Sequence, residues 1–235
     1  MIREMIDDYK KSLEFWEKAY ADSGDQNTDN SNNWETLAPS EKFIYALSSF
    51  SKCQNVLDYG CGEGWGSIIM AKTGCKNITS VELSNSAIKK TIKNSIIYKV
   101  NKFVNAYVIS ENWINTEESD KYDGFFCSNV IDVIPEEIAD NILKQAQRIV
   151  KPSKRIIISL NFYLDTKLNN NHEVKGKYLY REGILRMVNR TDQEWCDILS
   201  KFFKIEKIEH FAWPGETKET RRLFYLINSR HCFEG

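Results

Sequence analysis

The chain has few of the groups that build metal or nucleophilic sites. Its 235 residues include only three histidines, and none of its six cysteines forms a C-x-x-C pair. We therefore expect neither a metal site nor a dithiol site. Scattered single cysteines are typical of reduced thiols in a cytoplasmic protein.

The sequence also lacks a long apolar run and an excess of charge of one sign. No apolar stretch is long enough to cross a bilayer, and Arg3, Glu4, Asp7 and Asp8 argue against a signal peptide. The formal net charge is -1, so no general attraction to nucleic acid or to an anionic membrane is expected. We predict a cytoplasmic protein without a membrane or nucleic-acid partner, and the oligomeric state stays open.

The first 50 residues have a different pattern of apolar and polar residues from the rest of the chain. Apolar side chains recur at three- and four-residue steps, among them Tyr9, Trp16 and Tyr20, which predicts an amphipathic helix. Residues 22–33 are almost all polar and predict a mobile loop, and a second helical pattern follows. The sequence thus divides into an N-terminal helical segment, 1–50, and a main domain, 51–235.

From residue 55 onward, apolar strands alternate with helical patterns. Strands are predicted at 56–59, 78–82, 106–109, 122–128 and 155–160, with helices at 65–72, 84–98 and 135–150. Such alternation indicates an α/β fold with a doubly wound, mostly parallel sheet. The alternation breaks at 161–190, which we interpret as an insertion. Thr191 to Glu194 then has the form of a helix-capping box, and strands are predicted at 203–211 and 223–227.

The strongest local pattern is a glycine-rich turn between the first strand and its helix. It reads D-x-G-x-G-x-G from Asp58 through Gly60, Gly62 and Gly64. Glycines allow a tight turn and a close approach of a ligand to the backbone. The dinucleotide pattern G-x-G-x-x-G fails in every register of this stretch, which argues against NAD.

A carboxylate and two further motifs follow at the ends of successive strands. Glu82 ends the second strand, where it can accept hydrogen bonds from two ribose hydroxyls. Ser110 to Trp113 follows the third strand, and Tyr122 to Asn129 covers the fourth. Over residues 55–160 this order and spacing resembles the class I S-adenosylmethionine-dependent methyltransferases, especially those acting on small molecules.

The resemblance implies a seven-stranded Rossmann-like sheet closed by an antiparallel hairpin, with the N-terminal segment as a lid. It implies S-adenosylmethionine as the methyl donor and S-adenosylhomocysteine as the product. The cofactor-binding residues it implies are Asp58, Tyr59, Gly60, Cys61, Gly62, Glu82, Leu83, Glu111, Asn112, Trp113, Ser128 and Asn129.

Candidates for the other roles rest on weaker patterns. Asn129, Asp132 and His172 are candidate catalytic residues, although many relatives carry histidines where this chain has Asp132 and Val133. The candidate substrate-binding residues are Trp34, Tyr163, Tyr180 and Arg186. The insertion emerges at the carboxyl edge of the sheet, where ligands bind in such folds, so we assign it to the acceptor.

The predicted function is methyl transfer to an O, N or S atom of a small-molecule acceptor. One alternative is an enzyme that methylates RNA or protein, because the insertion interleaves tyrosines with the basic residues Lys175, Lys177, Arg181, Arg186 and Arg190. Others are a non-catalytic protein that binds S-adenosylmethionine and an NAD-dependent oxidoreductase. The acceptor cannot be named from the fold.

Overall fold

The computed structural model describes residues 2–24, 33–165 and 172–230, with the side chains of residues 2–6 excepted. The greater part of the polar segment predicted as a mobile loop, residues 25–32, lies outside the described residues, and so does the Asn-rich stretch 169–171. No helix in the described ranges is both long and apolar enough to cross a membrane.

A seven-stranded sheet forms the centre of the molecule, as predicted. Its strands are β1 Val56–Tyr59, β2 Ile78–Glu82, β3 Val104–Val108, β4 Tyr122–Ser128, β5 Val150–Leu160, β9 Phe203–Phe211 and β10 Arg221–Asn228. They lie in the order β3-β2-β1-β4-β5-β10-β9, and only β10 runs antiparallel to its neighbours. The order reverses between β1 and β4, which opens a crevice at their carboxyl ends.

Helices cover both faces of this sheet. They are α1 Ile2–Asp22, α2 Glu41–Ser48, α3 Trp65–Lys72, α4 Asn85–Ile97, α5 Trp113–Thr116, α6 Glu136–Ile149 and α7 Asp192–Leu199, with a 3-10 turn at Trp34–Leu37. Side chains of β4 and β5 alternate between two cores: Phe125 joins a core with α6 and α7, and Phe126 joins one with α2 and α3. The predicted capping box is present, with Thr191 and Glu194 bonded reciprocally at the start of α7.

The insertion is more regular than the sequence indicates. Within the described part it forms a second, antiparallel sheet of β6 Glu173–Lys175, β7 Tyr178–Arg181 and β8 Ile184–Val188. The alternation of buried and exposed residues that marks a strand is absent from β6, where all three residues are exposed. Strand β8 packs on α1, so the insertion and the N-terminal helix meet.

Candidate functional site

A cavity of about 1290 Å³ lies at the carboxyl ends of β1, β2 and β4. Its floor is the glycine-rich turn after β1, its walls are the chain after β2, β3 and β4, and α1 lies across it. Arg186 of β8 and Trp213 line it as well. The cavity thus joins the predicted donor residues to the insertion.

The turn after β1 needs its glycines for geometric reasons. Gly60 and Gly62 have φ of +71° and +54°, in the left-handed region that disfavours side chains. A Cβ on Gly60 would lie 2.3 Å from Cγ2 of Val130, and one on Gly62 would lie 2.9 Å from the Tyr20 hydroxyl. The turn therefore offers bare backbone to the cavity.

Glu82 is held in place by backbone donors. The N–H of Leu83 donates to one carboxylate oxygen at 2.7 Å, and the N–H of Gly62 donates to the other at 3.2 Å. Burial raises the pKa of Glu82, and these hydrogen bonds act in the opposite direction. The N–H of Ser84 makes a longer contact, 3.5 Å, with the oxygen that Leu83 contacts, whereas the other oxygen accepts only from Gly62 and keeps a free lone pair for a ligand hydroxyl.

A buried hydroxyl network supports the turn from below. Ser67 Oγ donates to Asp58 Oδ2 at 2.5 Å and lies 2.6 Å from the Ser80 hydroxyl. Burial raises the pKa of Asp58 to about 7, although the hydrogen bond from Ser67 favours the charged form. Asp58, which lines the cavity, is thus linked through Ser67 to α3 and to Ser80 of β2.

Asn129 marks the end of β4 on the cavity wall. It has φ of +54°, a conformation that asparagine tolerates better than most residues. Its Oδ1 accepts from Ser128 and Ser159 hydroxyls at 3.2 and 3.4 Å. Among the described residues no acceptor takes its side-chain N–H groups, which leaves two donors for a ligand.

Asp132 lies behind the wall and does not line the cavity. It is 1% exposed, its Oδ2 accepts from the backbone N–H of Asn161 at 2.6 Å, and its Oδ1 has no partner among the described residues. Burial raises its pKa to about 6. Its place indicates a role in fixing Asn161, which does line the cavity.

Helix α1 closes one side of the cavity and is fastened to α4. Glu17 accepts hydrogen bonds from the hydroxyls of Ser84 and Ser86, each at 2.6 Å. These bonds lower the pKa of Glu17. At the far end of α1, Lys90 binds Ser23 and pairs with Glu63 at 3.1 Å. These polar contacts, which water can replace, fasten the second half of the helix, while Tyr9 and Leu13 pack its first half on the core that contains α6 and α7.

The structure brings most predicted cofactor residues together. All of them line the cavity except Asn112 and Trp113. Asn112 is exposed at the start of α5, and Trp113 packs against the core that contains α6. The short helix α5, which was not predicted, turns both side chains away from the cavity. Glu111 remains on the wall.

Of the predicted substrate residues, only Arg186 lines the cavity. The Tyr180 hydroxyl donates to Asp8 at 3.0 Å, Tyr163 is half exposed, and Trp34 packs on the core of α2 and α3. His172, which directly precedes β6, also lies outside the lining. None of these four side chains reaches the cavity in this structure.

Several lining residues were not singled out as site residues from sequence. They lie on α1, after β4, after β5 and after β9, and include Tyr9, Ser12, Glu17, Tyr20, Val133, Ile134, Asn161 and Trp213. The aromatic face of α1 is visible in the sequence, but the same pattern equally describes a core helix. Nothing local to Trp213 indicates that the chain after β9 returns to the cavity.

The glycine-rich turn after β1 and the oriented carboxylate of Glu82 fit an adenosine ligand. Comparisons with known proteins support this interpretation. A family model described as "Methyltransferase domain" matches residues 50–210. Glycine N-methyltransferase of Rattus norvegicus is 27% identical over 144 residues, 57% of this chain and 48% of that protein. The ubiquinone biosynthesis O-methyltransferase of Bordetella avium is 23% identical over 181 residues, 77% of this chain and 65% of that protein.

The chain thus spans about half to two thirds of the length of these two relatives. Among solved structures, 1,6-didemethyltoxoflavin-N1-methyltransferase of Burkholderia thailandensis has the same fold, with a TM-score of 0.62 and 12% identity. The match covers 85% of this chain and 84% of that one, which was solved with S-adenosylhomocysteine and 1,6-didemethyltoxoflavin bound. The family match covers well over half of the sequence and agrees with the predicted fold and cofactor: this chain belongs to the S-adenosylmethionine-dependent methyltransferase family.

Proposed function

We propose that this protein transfers a methyl group from S-adenosylmethionine to an O, N or S atom of a small molecule. The observation that carries the proposal is the single cavity in which the glycine turn and Glu82 share walls with Arg186 and Trp213. A donor on the first pair and an acceptor near the second would meet inside one cavity. Holding two reactants in this way supplies much of the rate of a displacement reaction.

The donor side is assigned residue by residue. Glu82 would accept the ribose hydroxyls, the bare backbone of Gly60 and Gly62 would contact the amino-acid part, and Leu83 and Glu111 would flank the base. When bound, the cofactor supplies a methyl group on a sulfonium, which is a good leaving group. Asn129 would orient a polar group through its unpartnered side-chain N–H groups.

A small acceptor is favoured over RNA or protein by the pairing of the basic residues. Lys177 pairs with Glu194 at 2.7 Å, Lys175 with Glu173 at 3.3 Å, and Arg190 with Glu136. These carboxylates neutralise most of the cluster that would otherwise bind phosphates. In addition, α1 lies across the cavity and would obstruct a polymer.

The N-terminal segment, residues 1–50, is proposed to act as a lid. In support, Tyr9, Trp16 and Tyr20 of α1 line the cavity, while Glu17 fastens the helix to α4 through polar contacts. Opening of α1 would admit the ligands, and closing would exclude water. The free thiols of the described cysteines support work in the reducing cytoplasm.

Methyl transfer is tested with isotopically labelled S-adenosylmethionine and pools of small alcohols, phenols, amines and thiols. Label should enter at least one small molecule, and the Glu82→Ala variant should lose that activity. Label entering only RNA or only protein would favour the alternative enzyme. Binding of S-adenosylhomocysteine without transfer to any pool would favour a non-catalytic binding protein.

A further inference from the structure

Arg186 is placed by a strand that is anchored at both ends. Its neighbours Leu185 and Met187 are buried, so the alternation of β8 sends residue 186 to the opposite face. The Ser12 hydroxyl donates to the carbonyl of Leu185 at 3.3 Å, and the Val188 N–H donates to the carbonyl of Asp132 at 2.7 Å. The position of Arg186 in the cavity wall is therefore well defined.

The Arg186 guanidinium has no acceptor among the described residues. Its Nε is buried without a hydrogen-bond partner, and it forms no ion pair with a described carboxylate. The ring of Phe15 covers one face of the guanidinium, 3.7 Å from ring centroid to Cζ. Stacking on a ring uses the face of the group and leaves its in-plane N–H donors for another partner.

Three other arginines nearby pair with carboxylates, although Nε of Arg190 is also buried without a hydrogen-bond partner among the described residues. Arg221 forms a forked pair with Glu216, Arg222 pairs with Asp192 at 2.6 Å, and Arg190 pairs with Glu136. Within the described ranges, Arg186 differs from these three in facing the cavity without such a partner. An unpaired, partly desolvated charge costs stability, which a purely structural residue would not explain.

Trp213 supplies a second unpartnered donor in the lining of the same cavity. Its Nε1 is buried and has no acceptor among the described residues. Several buried side-chain atoms of the described residues lack a hydrogen-bond partner. Two of these atoms belong to residues that line the cavity, namely Nε of Arg186 and Nε1 of Trp213. Both can only donate, so the missing ligand group is an acceptor.

We propose that the methyl acceptor carries a carboxylate and that Arg186 binds it through a forked pair of hydrogen bonds. This inference rests on the proposed methyl transfer, because it places the acceptor in the same cavity. A carboxylate matches the planar fork of a guanidinium and its single positive charge. Arg186 is a specificity residue in this account, since it selects the acceptor without touching the transferred methyl group.

The test compares benzoate with its neutral counterpart benzamide and with phenyl phosphate. Saturation-transfer NMR is recorded with the protein saturated by S-adenosylhomocysteine. Benzoate should bind about tenfold or more tightly than benzamide, in line with a charge-assisted forked pair. Equal binding of benzoate and benzamide would overturn the proposal, and a preference for phenyl phosphate would overturn the choice of carboxylate.

Variants show whether Arg186 is responsible. Arg186→Gln should abolish the preference for benzoate, Arg186→Lys should keep part of it, and Trp213→Phe should reduce it less. Arg181→Gln is the matched control, because Arg181 is exposed on β7 and does not line the cavity. An unchanged preference in Arg186→Gln would contradict the proposal.

Two further readouts separate the possible failures. The affinity for S-adenosylhomocysteine should stay within about threefold in Arg186→Gln, and its melting temperature should not fall. A fall in melting temperature together with an unchanged benzoate preference would assign Arg186 a structural role. If wild-type protein does not bind S-adenosylhomocysteine at all, the proposed function fails first; if it does bind, a missing carboxylate preference overturns only this inference.

Discussion

The Glu82 carboxylate accepts a hydrogen bond from the backbone N–H of Gly62 at 3.2 Å. This contact joins the end of β2 to the turn after β1, so the two elements that would hold the adenosine and amino-acid parts of the cofactor are set relative to each other. Glu82 therefore orders the turn, and under the proposed function it would also accept a hydrogen bond from the ribose.

Replacing Glu82 by alanine should weaken S-adenosylhomocysteine binding at least about tenfold, because charge-assisted hydrogen bonds contribute roughly 1.5–3 kcal/mol each. Calorimetry measures the change. Glu206→Ala is the matched control, because Glu206 pairs with Arg155 at the surface, far in sequence from the turn. A Glu82 variant that folds and binds within about threefold of wild type would remove Glu82 from the ribose site.

Gly60→Ala should damage both stability and cofactor binding. The left-handed backbone alone costs roughly 1–2 kcal/mol with a side chain, and the contact with Val130 adds an overpacking cost of about 1–3 kcal/mol. Gly176→Ala isolates the first cost, because Gly176 has φ of +62° and a Cβ there would have no described atom within 4 Å beyond its chain neighbours. Denaturant unfolding should show the larger loss for Gly60→Ala, and Val130→Ala should restore part of it. Equal losses at the two glycines would contradict the steric account.

Glu17→Gln should loosen α1 without unfolding the main domain. The charged carboxylate accepts hydrogen bonds at the start of α4, and the amide loses part of them. Because the folded pKa of Glu17 is lowered, its contribution is present above its ordinary pKa of 4.5 and is lost as the pH falls through the lower folded value. Hydrogen exchange should speed up in α1 in the variant, and S-adenosylhomocysteine should slow it in wild type. If the exchange rate in α1 is the same in the variant and in wild type, with and without the ligand, the lid assignment is wrong.

Asp132→Asn should change the dependence of stability on pH. The folded pKa of Asp132 is about 6 against an ordinary 3.8, so the native state holds its proton more tightly than the unfolded state does. The contribution of Asp132 to the free energy of unfolding is fully present below the ordinary pKa of 3.8. It is lost as the pH rises to the folded pKa, and the whole loss is about 3 kcal/mol at most. Unfolding curves between these two pH values should fall less steeply for the asparagine variant. Parallel curves would show that Asp132 does not titrate there.

The fold was predictable from sequence wherever local pattern and tertiary packing agree. The apolar strand Val56–Tyr59 and the helix Trp65–Lys72 flank a glycine turn, and their bounds match the prediction. The helix expected from residue 135 begins at Glu136, because Pro135 takes the capping position outside the helix. β5 starts earlier than predicted, at Val150, since its polar first residues extend beyond the apolar run.

The site was predictable on the donor side and much less so on the acceptor side. Donor residues follow consecutive strands, so their order along the chain fixes their neighbours. Arg186 and Trp213 reach the cavity only through β8 and the chain after β9, whose positions depend on contacts between distant segments. Tyr180 shows the opposite outcome, because its hydroxyl donates to Asp8 of α1 and its ring carries the ammonium group of Lys175.

The central claim, that this cavity binds the methyl donor, is tested most directly by calorimetric titration of the protein with S-adenosylhomocysteine and with NAD. Both ligands carry a ribose whose hydroxyls could donate hydrogen bonds to Glu82. The glycine turn is therefore the feature that would favour one ligand over the other. The account predicts saturable binding of S-adenosylhomocysteine, lost in Glu82→Ala, and no useful binding of NAD. Tighter binding of NAD than of S-adenosylhomocysteine would contradict it.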